Sequence, residues 1–283
     1  ATSCLRRGHL VWGVGTNIDQ VKAFCSQGGQ ATTLNSVIDK IDVVVVVVLN
    51  SMQTEEVLFG QEGLVENLKP GTVVISCATV APTFAKDMEK RCKKFKVLYL
   101  DAPISGGALK AKNGQLSIMA SGVKEAFQHA RPTLDSISET VFELGDEAGT
   151  GSAMKSVNQL LAGVHIAVMA EALTFGISQG ISPDKFVEVI SKCAGTSWML
   201  ENRAPHIVNG DYKPHSSINI WPKDLGIVLD VALESKFNAP IATAALEQFR
   251  TAVDMGLGFE DDAAVAKVYA KSANLSLPKK NDV

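Results

Sequence analysis

The sequence predicts an open, mostly parallel α/β sheet followed by an all-helical domain, and three observations carry that expectation. Strand-type and helix-type segments alternate from His9 to Leu144, the pattern of a parallel sheet joined by crossover helices. Within that stretch, Asp42 is followed by six valines and Leu49. Such a run is too stiff at χ1 to favour a helix, and its apolarity on both faces is expected of a central, covered strand. After Gly145 the strand signals stop, and the remainder of the chain reads as helices broken at Gly180, Gly195, Asn209-Gly210, Pro214 and Asn238–Pro240. The domains are therefore expected at 1–146 and 147–283.

Taken in order, Ala1 to Arg7 reads as the end of a helix with Gly8 as its cap. A strand is expected over His9–Val14, a helix over Ile18–Ser26 ended by Gly28-Gly29, and an extended piece over Ala31–Leu34. Beyond the valines come a helix at 51–59, a strand at 72–76, a helix at 81–92 and a strand at 97–101. A strand at 115–120, a helix at 124–136 and a strand at 140–144 complete the first domain. The second opens with the longest helix, Ser152 to Ser178, roughly 27 residues and about 40 Å. Its apolar residues recur at spacings of three and four. Ala162, Ile166, Ala167 and Ala170 spread apolarity beyond one stripe, so the helix is expected to pack on several sides.

The chain has 283 residues, 46% hydrophobic and 20% charged, with a net charge of -3. That is the composition of a soluble globule, and it offers no basic field for a nucleic-acid partner. The uninterrupted apolar run Val43–Leu49 is too short to span a bilayer, and no membrane partner is expected. Five cysteines without C-x-x-C spacing read as free thiols in a reducing compartment, the cytoplasm or alternatively the mitochondrion. The histidines lack the i,i+4 pairing of a metal-binding helix, and no metal is expected.

A nucleotide-binding, Rossmann-like domain begins with a strand, a G-x-G-x-x-G turn and a helix. The nearest stretch, Gly13-Val-Gly15-Thr-Asn-Ile18, lacks the third glycine. It reads as the end of the second strand, with the usual first strand and glycine-rich loop missing. At that tip Gly15, Thr16 and Asn17 offer neither an acid nor an arginine, so charge does not separate NAD from NADP. Further along, Lys155 lies near the start of the long helix, with Asn158 and Gln159 a turn later on the same face. It is either a solvated first-turn residue or a buried amine with a function. A cation is unfavourable near a helix N-terminus, so an early lysine wants a reason.

Several stretches, in order along the chain, together resemble one family. These are Cys77-Ala-Thr79-Val-Ala-Pro82; Asp101-Ala-Pro-Ile-Ser105-Gly106-Gly107 with Ala111 and Gly114-Gln-Leu116; Gly149-x-Gly151-x-x-x-Lys155-x-x-Asn158-Gln159; Trp221-Pro-Lys223-Asp224-Leu225; and Gly258-Phe-Glu-Asp261-Asp-Ala-Ala. The set resembles the β-hydroxyacid dehydrogenases of the 3-hydroxyisobutyrate type. Within that family, Leu160–Ile166 and Ser197–Arg203 look most like the L-threonate branch. The resemblance implies oxidation of a small hydroxy acid by hydride transfer to NAD, with NADP as the alternative. It gives Lys155 the proton relay, a role lysine can fill once desolvation brings its pKa toward neutrality. It gives substrate binding to Ser105, Gly106, Gly107, Asn158 and Gln159, and the cofactor to Leu49, Asn50, Thr79 and Lys223, with Asp224 orienting its neighbours. A helix N-terminus facing the substrate would also favour its anionic group.

Several ordinary readings stand beside these. Ser105-Gly106-Gly107 is also a tight turn between strands, Thr79 also a helix cap, and Lys223-Asp224 also a solvated ion pair. Trp198 is expected in the core and His165 in the interior, while Glu260-Asp261-Asp262 is expected to start a helix. The apolar girth of the long helix implies a homodimer or homotetramer. The competing function is a cofactor-deficient relative acting only as a structural or interaction subunit, which the missing glycine-rich loop would favour.

Overall fold

The computed structural model describes residues 1–31 and 36–280. The fold is a Rossmann-like α/β domain with mostly parallel strands, followed by helices only. By internal contacts the chain divides into Ala1–Lys155 and Ser156–Val283.

The first unit opens with α1 (Thr2–Arg6), β1 (Trp12–Gly13), α2 (Ile18–Cys25) and β2 (Gln30–Ala31), with β1 and β2 paired in parallel. The extended piece expected at Ala31–Leu34 lies outside the described residues after Ala31. Gly13 and Gly15 have ordinary backbone angles, and Asn17 caps α2 by accepting the Gln20 N–H. Neither glycine is spent on a strained turn, as a phosphate loop would require.

β3 (Val43–Val46), α3 (Ser51–Phe59), β4 (Val73–Ser76), α4 (Pro82–Lys94) and β5 (Leu98–Asp101) come next, and the three strands form a parallel sheet in the order β3-β4-β5. The central, fully covered strand is β4, not the valine run. Val74 packs on the side of Leu58 and Met88, while Val73 and Ile75 pack with Phe127 and Leu134. β3 lies at an edge among the described residues, with Val45 37% and Val47 67% exposed. β-Branching dictates that the run is extended, but covering depends on neighbours that a local pattern does not name.

The rest of the unit is β6 (Ile104–Ser105), α5 (Gly107–Asn113), β7 (Leu116–Ala120), α6 (Lys124–Ile137) and β8 (Ser138–Glu143). β7 pairs antiparallel with β6 and parallel with β8. The short helix α5 has no counterpart among the expected elements, because it is seven residues long and carries no apolar stripe.

Residues 150–155 begin α7 (Thr150–Ser178), which continues into the second unit. α7 is long and apolar enough to cross a bilayer, yet 44% of its most apolar window is buried in the protein. α8 (Pro183–Ile190), α9 (Trp198–Val208), α10 (Ile220–Glu234), α11 (Pro240–Asp254) and α12 (Ala266–Ser272) complete the chain. Ile166, Met169 and Leu173 of α7 share one core with Leu200, Ile207, Trp221, Leu225 and Phe249. Gly163 lets α10 approach closely, since a Cβ there would meet Leu225 and Trp221 at 3.0 Å. Trp198 is 59% exposed, contrary to its expected place in the core. It is the first residue of α9, whose buried side is carried by Met199, Leu200, Ala204 and Ile207. His165 is half-buried.

The Glu260–Asp262 stretch does start a short 3-10 turn, Asp262–Val265, with Asp261 as its cap. Asp261 also accepts from His206 Nδ1 at 2.8 Å and from the His215 N–H at 3.0 Å, tying a loop and α9 together. Burial pushes its carboxyl up, but these bonds and the Ala263 N–H outweigh it and leave the pKa below the ordinary value. A carboxyl depressed by folding contributes stability above its unfolded pKa and loses it as pH falls through the folded one. Asp261→Asn is therefore expected to flatten the acid limb of stability, measured by urea unfolding across the acidic range. An unchanged limb would count against the assignment.

Candidate active site

The three parallel strands end level with one another: Val46 is in register with Ser76, and Ser76 with Asp101. The segments that leave these ends, Leu49-Asn50, Thr79 and Ile104-Ser105, therefore emerge from one edge of the first unit, the C-terminal edge where α/β sheets bind ligands. Asn50 is the N-cap of α3, accepting the Gln53 N–H at 2.9 Å, and the Gln53 amide oxygen accepts the Leu49 N–H at 2.8 Å. The Asn50 side chain thus has a structural task, while the Leu49 side chain is exposed. Thr79 is half-buried between β4 and α4; α4 begins at Pro82 after Ala81, so Thr79 is not its cap. A cavity of about 410 Å³ beside the β1–α2 turn is lined by Gly15, Ile18, Val21, Lys22, Cys25 and Ala31.

Lys155 is 7% exposed, and its Nζ donates to the carbonyl of Ile104 at 2.8 Å. The structure thus sets the lysine against Ser105-Gly106-Gly107. That segment is not a turn between strands: it leads from β6 into α5, with φ of +126° at Gly106 and +69° at Gly107. Both angles are ones side chains avoid, which accounts for the paired glycines. Gly107 is exposed, with open space where a side chain would project.

The start of α7 is held by the side chains of Asp101 and Ser121, whose partners no motif reveals. Asp101 Oδ2 accepts the N–H groups of Gly149 at 2.9 Å and Ser152 at 2.8 Å, and Asp101 Oδ1 accepts the Ser152 hydroxyl at 2.6 Å. Ser121 Oγ takes the Gly151 N–H at 3.0 Å. Burial pushes the Asp101 carboxyl up, and the bonds from Ser152, Gly149 and Ser121 draw it down only in part. These helix-terminal N–H groups are satisfied inside the protein, so this end of α7 is not the open anion site that the sequence allowed. Gly149 has φ +109°, and a Cβ on Gly151 would strike the carbonyl oxygens of Met119 and Asp101. The two glycines of the motif are explained by backbone conformation and close approach. Asp101 opens the Asp101–Gly107 motif, but nothing in that motif shows that its carboxylate binds the start of α7.

In the second unit, Asp224 is buried and gathers the other predicted residues. Gln159 Nε2 donates to Asp224 Oδ2 at 2.5 Å, and Lys223 Nζ pairs with Oδ1 at 2.5 Å. Asn158 Nδ2 in turn donates to the Gln159 amide oxygen at 2.9 Å. A carboxylate only accepts, so it fixes which way the Gln159 amide faces and hence what Asn158 can do. Lys223-Asp224 is thus a partly buried pair in a network. Asp224→Ala is expected to lower kcat/KM roughly 10- to 100-fold by loosening both neighbours. Steady-state kinetics beside a fold check would show it, and wild-type kinetics would remove Asp224 from the network's function.

No group of three or more His, Cys, Asp or Glu among the described residues could hold a metal. A parallel sheet whose loops gather at one edge, with a buried lysine beside a glycine-rich strand end, fits a dinucleotide-dependent oxidoreductase. Sequence profiles agree: residues 1–145 match the NAD binding domain of 6-phosphogluconate dehydrogenase, and 149–269 match the NAD-binding region of NADP-dependent 3-hydroxyisobutyrate dehydrogenase. The chain belongs to the β-hydroxyacid dehydrogenase family, enzymes that use NAD or NADP. It is 44% identical over 270 residues to L-threonate dehydrogenase of Cupriavidus necator, covering 95% of this chain and 91% of that one. It is 42% identical over 272 residues to the Escherichia coli O6:H1 enzyme of the same name, covering 95% and 90%. The crystal structure of 3-hydroxyisobutyrate dehydrogenase from Salmonella typhimurium matches with a TM-score of 0.89 at 39% identity, over 95% of this chain and 94% of that one.

Proposed function

We propose that this enzyme oxidises a small hydroxy acid of the L-threonate type, with Lys155 as the proton relay. The observation that carries the reading is the buried Lys155 amine held on the Ile104 carbonyl beside Ser105-Gly106-Gly107. Relatives named for L-threonate, above 40% identical over nearly the whole chain, support the substrate class.

The level strand ends, the exposed Leu49 side chain and the half-buried Thr79 suit a nicotinamide dinucleotide, and Lys223 is kept as a cofactor residue on the family resemblance alone. When bound, the nicotinamide supplies the hydride acceptor. Lys155 in its neutral form takes the hydroxyl proton as the carbinol carbon is oxidised, and returns it in the reverse reduction. Ser105 offers a hydroxyl, and Gly106 and Gly107 offer N–H groups free of side-chain bulk, for the substrate carboxylate. Gln159 has both ends of its amide committed, to Asp224 and Asn158. Asn158 is therefore the member of the pair that holds a substrate oxygen, and Gln159 orients it. A panel of threonate, 3-hydroxyisobutyrate, glycerate and 4-hydroxybutyrate, each with NAD and NADP, tests the reading. The highest kcat/KM is expected for threonate, and no turnover of any hydroxy acid would refute it.

The enzyme is further proposed to act as a homodimer or homotetramer. Met154, Val157, Leu161, Val168 and Phe175 recur along α7 at spacings compatible with one helical stripe, and all are exposed. A second copy would cover them. Light scattering of Leu161→Lys is expected to show a smaller species than the wild type, and a monomeric wild type would end the proposal.

A further inference from the structure

We infer that Asp101 is a positioning residue for the reaction: its buried carboxylate anchors the first turn of α7 and thereby sets where the Lys155 amine lies. The inference rests on the reading of Lys155 as proton relay. One short segment, Asp101 to Ile104, holds both ends of that turn. At its start, Asp101 takes the Gly149 and Ser152 N–H groups and the Ser152 hydroxyl. At its end, the Ile104 carbonyl accepts a hydrogen bond from Lys155 Nζ, one residue before Ser105.

Asp101 is itself held rigidly. Its N–H donates to the Ser121 carbonyl at 3.0 Å and its carbonyl accepts the Ser121 N–H at 2.8 Å, which joins the end of β5 to the end of β7. The Ser121 hydroxyl, within 3.5 Å of Asp101 Oδ2, receives the Gly151 N–H. The helix start is thus bonded to two strand ends, and Gly151 lies too near the sheet for any side chain. Three residues beyond Ser152, the lysine inherits that placement through the stiffness of the helix.

The start of α7 needs a buried acceptor at this position, although burial disfavours the charge of the acid that supplies it. The donors facing it are backbone N–H groups and hydroxyls, which want an acceptor and not a second donor. Asparagine turned with its oxygen toward Gly149 and Ser152 keeps the backbone bonds, and its NH2 then meets the Ser152 oxygen, which can accept. Alanine keeps none of them.

The test compares Asp101→Ala, Asp101→Asn, Ser121→Ala and Lys155→Ala, each assayed well below its melting temperature. Asp101→Ala is expected to lower kcat about 30-fold and Ser121→Ala about 5-fold, with NADH affinity unchanged. Asp101→Asn should stay within about 3-fold of wild type, since it restores the backbone bonds. A second readout needs no turnover: the rate at which an amine-selective reagent labels Lys155, followed by peptide mass spectrometry. That rate should rise about 10-fold in Asp101→Ala and Ser121→Ala relative to the other lysines. Wild-type kcat and wild-type labelling in Asp101→Ala would overturn the proposal. If that variant does not fold, the same result in Ser121→Ala would do so. An active Lys155→Ala variant would instead refute the proton-relay reading, whatever the labelling shows.

Discussion

Lys155→Ala should lose at least about 10³-fold in kcat while binding NADH as tightly as the wild type. Alcohol oxidation needs the hydroxyl proton removed as hydride departs, and Lys155 is the buried amine beside the glycine-rich segment. Alanine removes the group proposed to accept the proton, and the residue lies too deep for bulk water to replace it efficiently. The loss should fall on kcat, because the interaction develops as the proton moves and not when substrate first binds. Steady-state kinetics with fluorescence titration of NADH separates the two quantities. Retention of more than a few per cent of wild-type turnover would give the proton to another group.

Arg203→Leu should destabilise the protein by about 3–5 kcal/mol, a fall of roughly 10 °C in Tm. Asp262 is fully buried; its carboxylate accepts from Arg203 Nε at 2.6 Å and from Trp221 Nε1 at 3.1 Å. Even with Arg203 present, burial leaves the Asp262 carboxyl above its ordinary pKa, and neighbouring Asp261 adds to the rise. Without the guanidinium the charge stays buried with one hydrogen-bond donor from Trp221. Because the carboxyl is raised on folding, its ionised form costs stability above the unfolded pKa, and protonation relieves that cost as pH falls through the folded value. The gap in Tm between variant and wild type should therefore narrow on acidification. Adding Asp262→Asn to Arg203→Leu should recover part of the loss at neutral pH. Equal Tm values for Arg203→Leu and wild type would show that the pair contributes nothing.

Much of the candidate site was legible because its residues belong to chain-local motifs. Gly149-x-Gly151, Lys155 and Asn158-Gln159 lie together at the start of one helix, so their spacing alone orders them. The glycines of Ser105-Gly106-Gly107 are likewise local, since positive φ is a property of the residue and its immediate turn. Asp101 and Ser121 were not legible, because they act across roughly 30 to 50 positions of sequence on the start of α7. The orientation of the Gln159 amide was closed to the sequence for the same reason: Asp224, 65 residues away, holds it.

The amino-acid pattern by itself determined that strands and helices alternate and then give way to helices, and that a lysine stands early in the longest of them. Period, β-branching and glycine placement act over a few residues, so they are written locally. Packing between distant segments settled that β4 and not the valine run is the covered strand, that Trp198 is exposed, and that a buried carboxylate caps α7. Burial and hydrogen-bond partners depend on which distant segments meet, and that is set by the packing of the whole fold.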